Sequence, residues 1–73
     1  MLKKFEASIY NEEVRECIAI GERHRGFDDS WADIHYVEIM APNLRDAKLM
    51  AERRFPASKG FVIRDVEEMK EYL

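Results

Sequence analysis

The chain has 73 residues, of which 47% are hydrophobic and 37% are charged, and its net charge at pH 7 is −3. This apolar content excludes a disordered chain, and a chain that hides only about 60% of its unfolded surface has room for one modest core. We therefore expect a single small domain over residues 1–73, without a large enclosed substrate pocket.

The first predicted elements are a strand and a helix. Apolar and polar residues alternate from Lys3 to Tyr10, which is typical of a half-buried strand. Asn11 is predicted to cap the next helix, because its side chain can accept a hydrogen bond from a free backbone N–H of the first turn. A strand from Val14 to Ile20 competes with this helix, because Ile20 lies off the apolar stripe of the helix and Gly21 weakens a helix interior. The helix is expected to fade by Gly26, and its apolar stripe consists of Val14, Cys17, Ile18 and Gly21.

The second strand and second helix have clearer signals. The strand is predicted from Asp33 to Ala41, where alternation is strongest. Asn43 and Asp46 resemble a shortened capping box at the start of the helix, which runs to about Phe55 because Pro56 cannot donate the next helical hydrogen bond. The buried stripe of this helix is predicted to be Leu44, Ala47, Ala51 and Phe55, with Met50 on its flank.

The C-terminal part has two interpretations. A third strand is predicted from Phe61 to Arg64, and Asp65 and Glu68 then form a second capping-box pattern. Residues at helical spacing follow it and predict a short terminal helix. The same residues also fit an extension of the strand with a frayed tail. The residues at helical spacing are Val66, Met69 and Leu73.

The order of these elements predicts an α+β fold that resembles α/β proteins. A three-stranded sheet carries two helices on one face, in the order β-α-β-α-β, with a short C-terminal helix. Any parallel crossover in it should be right-handed. If residues 14–20 form a strand, the order becomes βββαβ. In both cases helix packing on one face of the sheet is kept.

The face of the sheet opposite the helices is the most unusual predicted surface. It mixes apolar residues with charges of both signs, which is the composition of a protein contact surface. Alternatively, the terminal helix folds back and covers it through Val66, Met69 and Leu73. The face also includes Leu2, Lys4, Glu6 and Val62. The residues that we expect to make contacts are Tyr10, Ile34, Tyr36, Glu38, Met40 and Arg64.

Two aromatic residues, Phe27 and Trp31, lie in the polar turn before the second strand. An exposed tryptophan is often the centre of a protein contact, so the pair is a possible second anchor for a partner. The alternative is that Trp31 packs over the edge of the core and closes the long turn.

Metal and catalytic sites have little support. The candidate ligands His24, Asp28 and His35 have the right chemistry for a transition metal. Their spacing does not place two ligands on one helical face, however, and aspartates are ordinary turn formers. Cys17 lies on an apolar stripe, where cysteine behaves as a small hydrophobe. We therefore expect no metal, no cofactor and no catalytic residue, with a small metal-dependent enzyme as an alternative.

The sequence shows neither the pattern of a membrane helix nor that of a signal peptide. The longest uncharged stretch, Ile39 to Leu44, is far shorter than the roughly 20 residues of a membrane helix. Glu6 interrupts any signal-peptide apolar region, and the single cysteine cannot form an internal disulfide. We expect a cytoplasmic protein without membrane association, of a size typical of bacterial or phage proteins.

The leading functional hypothesis is a non-enzymatic module that binds another protein or itself, as a homodimer. The alternative partner is RNA or single-stranded DNA, whose bases could stack on Tyr10 and Tyr36. Nucleic acid is the less favoured partner, because Glu6 and Glu38 would repel its backbone and the sequence pI is about 5.3.

Overall fold

The central strand of the sheet is β1, Lys3–Asn11, in a computed structural model that describes residues 1–70. The predicted α+β fold and its β-α-β-α-β order are confirmed. The chain continues through α1, Glu12–Ala19, a 3₁₀ turn at Asp29–Ala32, β2, His35–Ala41, α2, Leu44–Arg54, a second 3₁₀ turn at Ala57–Lys59, and β3, Phe61–Glu68.

All hydrogen-bonded strand pairs are antiparallel. The strand order is β2-β1-β3, and β1 is antiparallel to both neighbours. It follows that β2 and β3 run in the same direction on either side of β1. The connection through α2 therefore passes over the central strand and covers one face of the sheet, where two of its side chains are buried in the core.

The predicted alternation of β1 and β2 is confirmed. Phe5, Ala7 and Ile9 are buried, and Phe5 and Ala7 lie opposite Ile39 and Val37 of β2. We call this buried side the inner face. Alanines at the contact points of α2 let the helix approach the sheet closely. The buried hydrophobic core consists of Phe5, Ala7, Ile9, Ile39, Ala41, Ala47, Ala51, Phe61 and Val66.

Helix α2 forms as predicted, with one difference in its buried stripe. The side chain of Asn43 accepts a hydrogen bond from the backbone N–H of Asp46 at 2.8 Å, as expected of an N-cap. Ala47 and Ala51 are buried, but Leu44 is 43% exposed. The buried stripe is centred on the two alanines, so Leu44 in the first turn lies at its margin.

Helix α1 is shorter than predicted, and the alternative strand over residues 14–20 is wrong. It ends at Ala19, because Gly21 adopts a left-handed conformation with φ of +76° and ends the helix. Val14 is its one buried residue, whereas Ile18 of the predicted stripe is exposed. The helix contacts the first 3₁₀ turn and β3.

The terminal helix predicted from Asp65 is wrong over the residues that the structure describes. These residues extend β3 to Glu68, and Val66 lies opposite Ala7 in the core. Leu73, the last residue of the predicted helix, lies outside the described residues. The competing interpretation, an extension of the third strand, is therefore correct through Glu68.

A β-bulge explains why the third strand was predicted too short. Ile9 lies opposite Ile63 and Ser8 lies opposite Asp65, so Arg64 is an extra residue without a partner on β1. The bulge shifts the alternation by one position. Ile63 and Val66 therefore both point to the inner face although they are three residues apart, a spacing that resembles a helix.

The buried side chain of Asn11 joins three elements at one end of the sheet. Its Oδ1 accepts a hydrogen bond from the Val14 N–H at 3.1 Å, which confirms the predicted N-cap of α1. Its Nδ2 donates to the Lys59 carbonyl at 3.0 Å, in the turn that leads into β3. The N–H of Glu12 donates to the Gly60 carbonyl at 2.7 Å beside it.

We expect Asn11→Ala to lower the free energy of unfolding by about 2–3 kcal/mol, because it removes a helix cap and the partner of a part-buried carbonyl. Asn43→Ala is the matched control, since Asn43 caps α2 through a single exposed hydrogen bond. It should cost about 1 kcal/mol. Urea denaturation of both variants tests this, and equal losses would contradict the joining role of Asn11.

We expect Gly60→Ala to destabilise the protein by about 2 kcal/mol or more. Gly60 has φ of +91°, and an added Cβ would lie 2.6 Å from Cγ of Glu13 and 2.7 Å from Oδ1 of Asn11. Gly21→Ala is the control, because Gly21 is also left-handed but has open space around it. That variant should lose about 1 kcal/mol in the same denaturation experiment, and a loss as large as that of Gly60→Ala would show that packing at Gly60 is unimportant.

Candidate functional site

The candidate metal ligand His24 holds the loop after α1. Its Nδ1 accepts hydrogen bonds from the backbone N–H groups of Gly26 and Phe27, at 3.0 and 3.2 Å. The ring proton is therefore on Nε2, which donates to Oε1 of Glu13 at 3.0 Å. Both ring nitrogens of His24 thus have partners within the protein.

The other candidate ligands have separate structural contacts. Nε2 of His35 donates to the Ser30 carbonyl at 2.9 Å, and its ring stacks on Trp31 at a centroid distance of 4.0 Å. Asp28 accepts from the Ser30 N–H and caps the first 3₁₀ turn, and the hydrogen bonds from Ser30 lower the pKa of this carboxyl. Within residues 1–70, no three His, Cys, Asp or Glu side chains are grouped to hold a metal ion.

No nucleophile–base pair forms around Cys17. The cysteine is free and half-buried on α1, while the nearest histidine in sequence, His24, is bonded to Glu13 and the backbone. In the part of the chain that the structure describes, every buried side-chain polar atom has a hydrogen-bond partner. These observations give no support to a catalytic centre.

Phe27 and Trp31 pack against the core on the inner side of the sheet. Both are half-buried, and their rings lie 4.9 and 5.3 Å from that of Phe61, in edge-to-face contacts. Trp31 also lies 5.7 Å from Phe55. This arrangement matches the alternative in which Trp31 closes the turn over the edge of the core. A contact role for the pair stays a prediction.

Among residues 1–70, none covers the face of the sheet opposite the core on the β2 side. Tyr36 and Met40 are 66% and 45% exposed. The predicted covering helix is instead a strand through Glu68, and the N–H of Met69 donates to the Lys4 carbonyl beside the sheet. We call this surface the open face, and its strand residues are Lys4, Glu6, Ser8, Tyr10, Tyr36, Glu38, Met40, Val62, Asp65 and Glu67.

A row of three glutamates crosses the open face. Glu6 of β1 lies directly opposite Glu38 of β2 and Glu67 of β3. Like charges directly opposite each other on neighbouring strands destabilise a sheet. The nearby Asp65 carboxyl, through a hydrogen bond and its charge, raises the pKa of Glu67, and the charge of Glu6 adds to this effect. We call Glu6, Glu38, Glu67 and Asp65 the acidic band.

The open face also contains a cleft of about 370 Å³. Ser8 lies at its centre on β1, opposite the much larger Tyr36 on one side and Asp65 on the other. The small serine between larger neighbours creates the depression. Ile34 and the bulged Arg64 complete its lining.

One aromatic ring on this face already binds a cation. The guanidinium of Arg15 lies 3.5 Å from the ring centroid of Tyr10, and its Nε donates to the Ala32 carbonyl at 2.6 Å. A guanidinium over an aromatic ring is a favourable cation–π arrangement. Among the described residues, Tyr36 has no such cation on its ring. Lys4 forms an ion pair with Glu38 at 3.5 Å.

A second cleft, of about 430 Å³, lies between α2 and β3. Its apolar lining includes Phe55 and Ile63, and its charged residues have both signs. Because the charges are mixed, this cleft does not select an anionic or a cationic ligand. The charged lining residues are Lys48, Glu52, Arg64 and Asp65.

Sequence reasoning found part of the open face and missed part. Tyr36, Glu38 and Met40 lie on it as predicted, and half-buried Ile34 lines its cleft. Asp65 and Glu67 were missed, because they were assigned to a terminal helix. The alternative strand extension was the signal that could have identified them. Ser8 was missed because its importance depends on which residues lie opposite it.

Comparison with protein-family models, curated proteins and solved structures finds no match for this chain. Over residues 1–70, none of the helices has the length and apolar character needed to span a membrane.

We expect Glu6→Gln to raise the melting temperature by about 2–5 °C at pH 7, because it removes the central charge of the row. The gain should shrink as the pH falls, because the row includes Glu67, whose pKa is raised on folding. The charge of Glu67 destabilises the native state fully above that raised pKa, and this penalty is absent below the ordinary pKa of a glutamate. Glu16→Gln, on an exposed part of α1, is the control with the same change of net charge. Equal melting temperatures for the two variants at pH 7 would show that repulsion among the three glutamates does not lower the stability of the protein.

Proposed function

We propose that this protein is a non-enzymatic protein-binding module and that the open face is its contact surface. The observation that carries the proposal is the exposure of Tyr36 and Met40 beside a cleft on an uncovered sheet face. Tyrosine and methionine are enriched at protein contacts, where they supply large apolar area. The charged residues around them provide the polar rim that such contacts have.

The two histidines that could perform chemistry have structural partners, which supports a non-enzymatic role. His24 and His35 hold the loop between α1 and β2 through hydrogen bonds to Glu13 and to the backbone. Their contacts orient a turn rather than a substrate. A cytoplasmic location, expected from the sequence, is part of the same proposal.

The nucleic-acid alternative has weaker support from the open face. The acidic band would repel the phosphates of an RNA or DNA strand laid across the sheet. Tyr10, one of the two rings proposed to stack on bases, is already stacked on Arg15. A protein surface is therefore the better match to this face.

Site-specific photo-cross-linking in cells tests the proposal. A benzophenone amino acid that replaces Tyr36 should give discrete adducts with a protein, because this position would lie within the contact. The same amino acid at Leu49, an exposed residue of α2, is the matched control and should give none. Met40→Glu should abolish the Tyr36 adduct without lowering the melting temperature, because Met40 is outside the core.

Two results would overturn the proposal. The first is the absence of any discrete adduct from position 36. The second is the same set of adducts from positions 36 and 49, which would show that the cross-links report only exposure.

A further inference from the structure

The exposed edge of the open face has a distinctive order of side chains. Along β2, Tyr36, Glu38 and Met40 point to the same face, so an acidic residue lies between two exposed apolar ones. A segment that complements this edge has a basic residue between two apolar ones. The side-chain pattern thus specifies the charge of a partner as well as its hydrophobicity.

The charge balance of the open face is negative. Its acidic band has four carboxylates, whereas its described cations are Lys4, the bulged Arg64 that lines the cleft, and Arg15, which lies over Tyr10. Two of the carboxylate pairs are directly opposed across strands, an arrangement that costs stability in the free protein. A cation placed above the acidic band would offset this repulsion. The open face is therefore more stable with a basic partner bound than when it is exposed to solvent.

The charged lining of the Ser8 cleft is itself mixed, with Arg64 and Asp65, so any selectivity for a cation comes from the Tyr36 ring and the surrounding acidic band. Arginine is the basic residue that best fits this combination. At the neighbouring Tyr10, the chain itself places a guanidinium 3.5 Å above a tyrosine ring and bonds it to a carbonyl. Tyr36 offers a more exposed ring, and Asp65 lies across Ser8 from it. A planar guanidinium can stack on an aromatic ring and donate hydrogen bonds to a carboxylate at the same time.

We propose that the open face binds a segment of another protein in which an arginine lies between apolar residues, with the guanidinium in the Ser8 cleft against Tyr36 and Asp65. The flanking apolar side chains then contact Tyr36 and Met40, and the arginine charge is shared with Glu38 and the rest of the acidic band. This inference rests on the proposed function, and it specifies the chemical class of the partner.

A second copy of this chain is a poorer occupant of the open face. Stacking two such faces would enclose eight carboxylates with six cations, and the excess negative charge would have to be removed from water. Burial of charges without partners is costly, and like charges across an interface oppose binding. The partner is therefore a different polypeptide with an excess of basic residues.

The test uses a capped nine-residue peptide whose central arginine has a leucine two residues away on each side and serines elsewhere. The control peptide replaces arginine with citrulline, which has the same shape but no charge. In an NMR titration of the ¹⁵N-labelled protein, the arginine peptide should shift the amide signals of Ser8, Tyr36 and Glu38. The citrulline peptide should bind about tenfold more weakly.

Paired variants separate the acidic band from net charge. Glu38→Gln with Glu67→Gln should weaken arginine-peptide binding about tenfold. Glu16→Gln with Glu22→Gln makes the same change of net charge away from the open face and should leave binding within about twofold. Equal binding of the two peptides, or equal losses in the two double variants, would overturn the inference.

The outcomes distinguish this inference from the proposed function. A homodimer adduct from the photo-cross-linker at Tyr36, without binding of the arginine peptide, would leave the protein-binding role intact and refute the basic partner. Failure of both experiments would refute both. An adduct with another protein and selective peptide binding together would support both.

Discussion

The buried amide of Asn11 determines how the layers of this small protein meet. It caps α1 at its first turn and bonds the carbonyl of Lys59, so the end of β1, the start of α1 and the entry to β3 are held at one point. Gly60 completes the arrangement, because a side chain there would overlap Asn11 and Glu13. With this end of the sheet fixed, β3 lies beside β1 in the register that aligns Glu6 with Glu67.

The parts of the fold that could be predicted from sequence have local causes. Alternation identified β1 and β2, and Asn11 and Asn43 identified the starts of both helices, because each signal lies within a few residues of its effect. The end of β3 could not be predicted in this way. The bulge at Arg64 changes the period of the pattern, and its cause is pairing with β1, which is more than 50 residues away in sequence.

The same distinction applies to the open face. Tyr36, Glu38 and Met40 could be assigned to it from the pattern of β2 alone. The acidic band as a whole could not be predicted from sequence, because a row of residues across strands depends on the register of three strands. In the free protein this row opposes folding slightly. This locally unfavourable row supports the contact role that we propose for the open face.

The position of β2 at the edge of the sheet has a consequence for how the protein behaves at high concentration. Among the residues that the structure describes, none is hydrogen-bonded to the outer side of this strand, and residues 35–41 contain no proline, lysine or bulge that would block another chain. Glu38 is the one carboxylate in the strand. Within this strand, the negative charge of Glu38 is therefore the main barrier to intermolecular β-pairing, so an uncharged residue at position 38 would leave an edge open to association at high concentration.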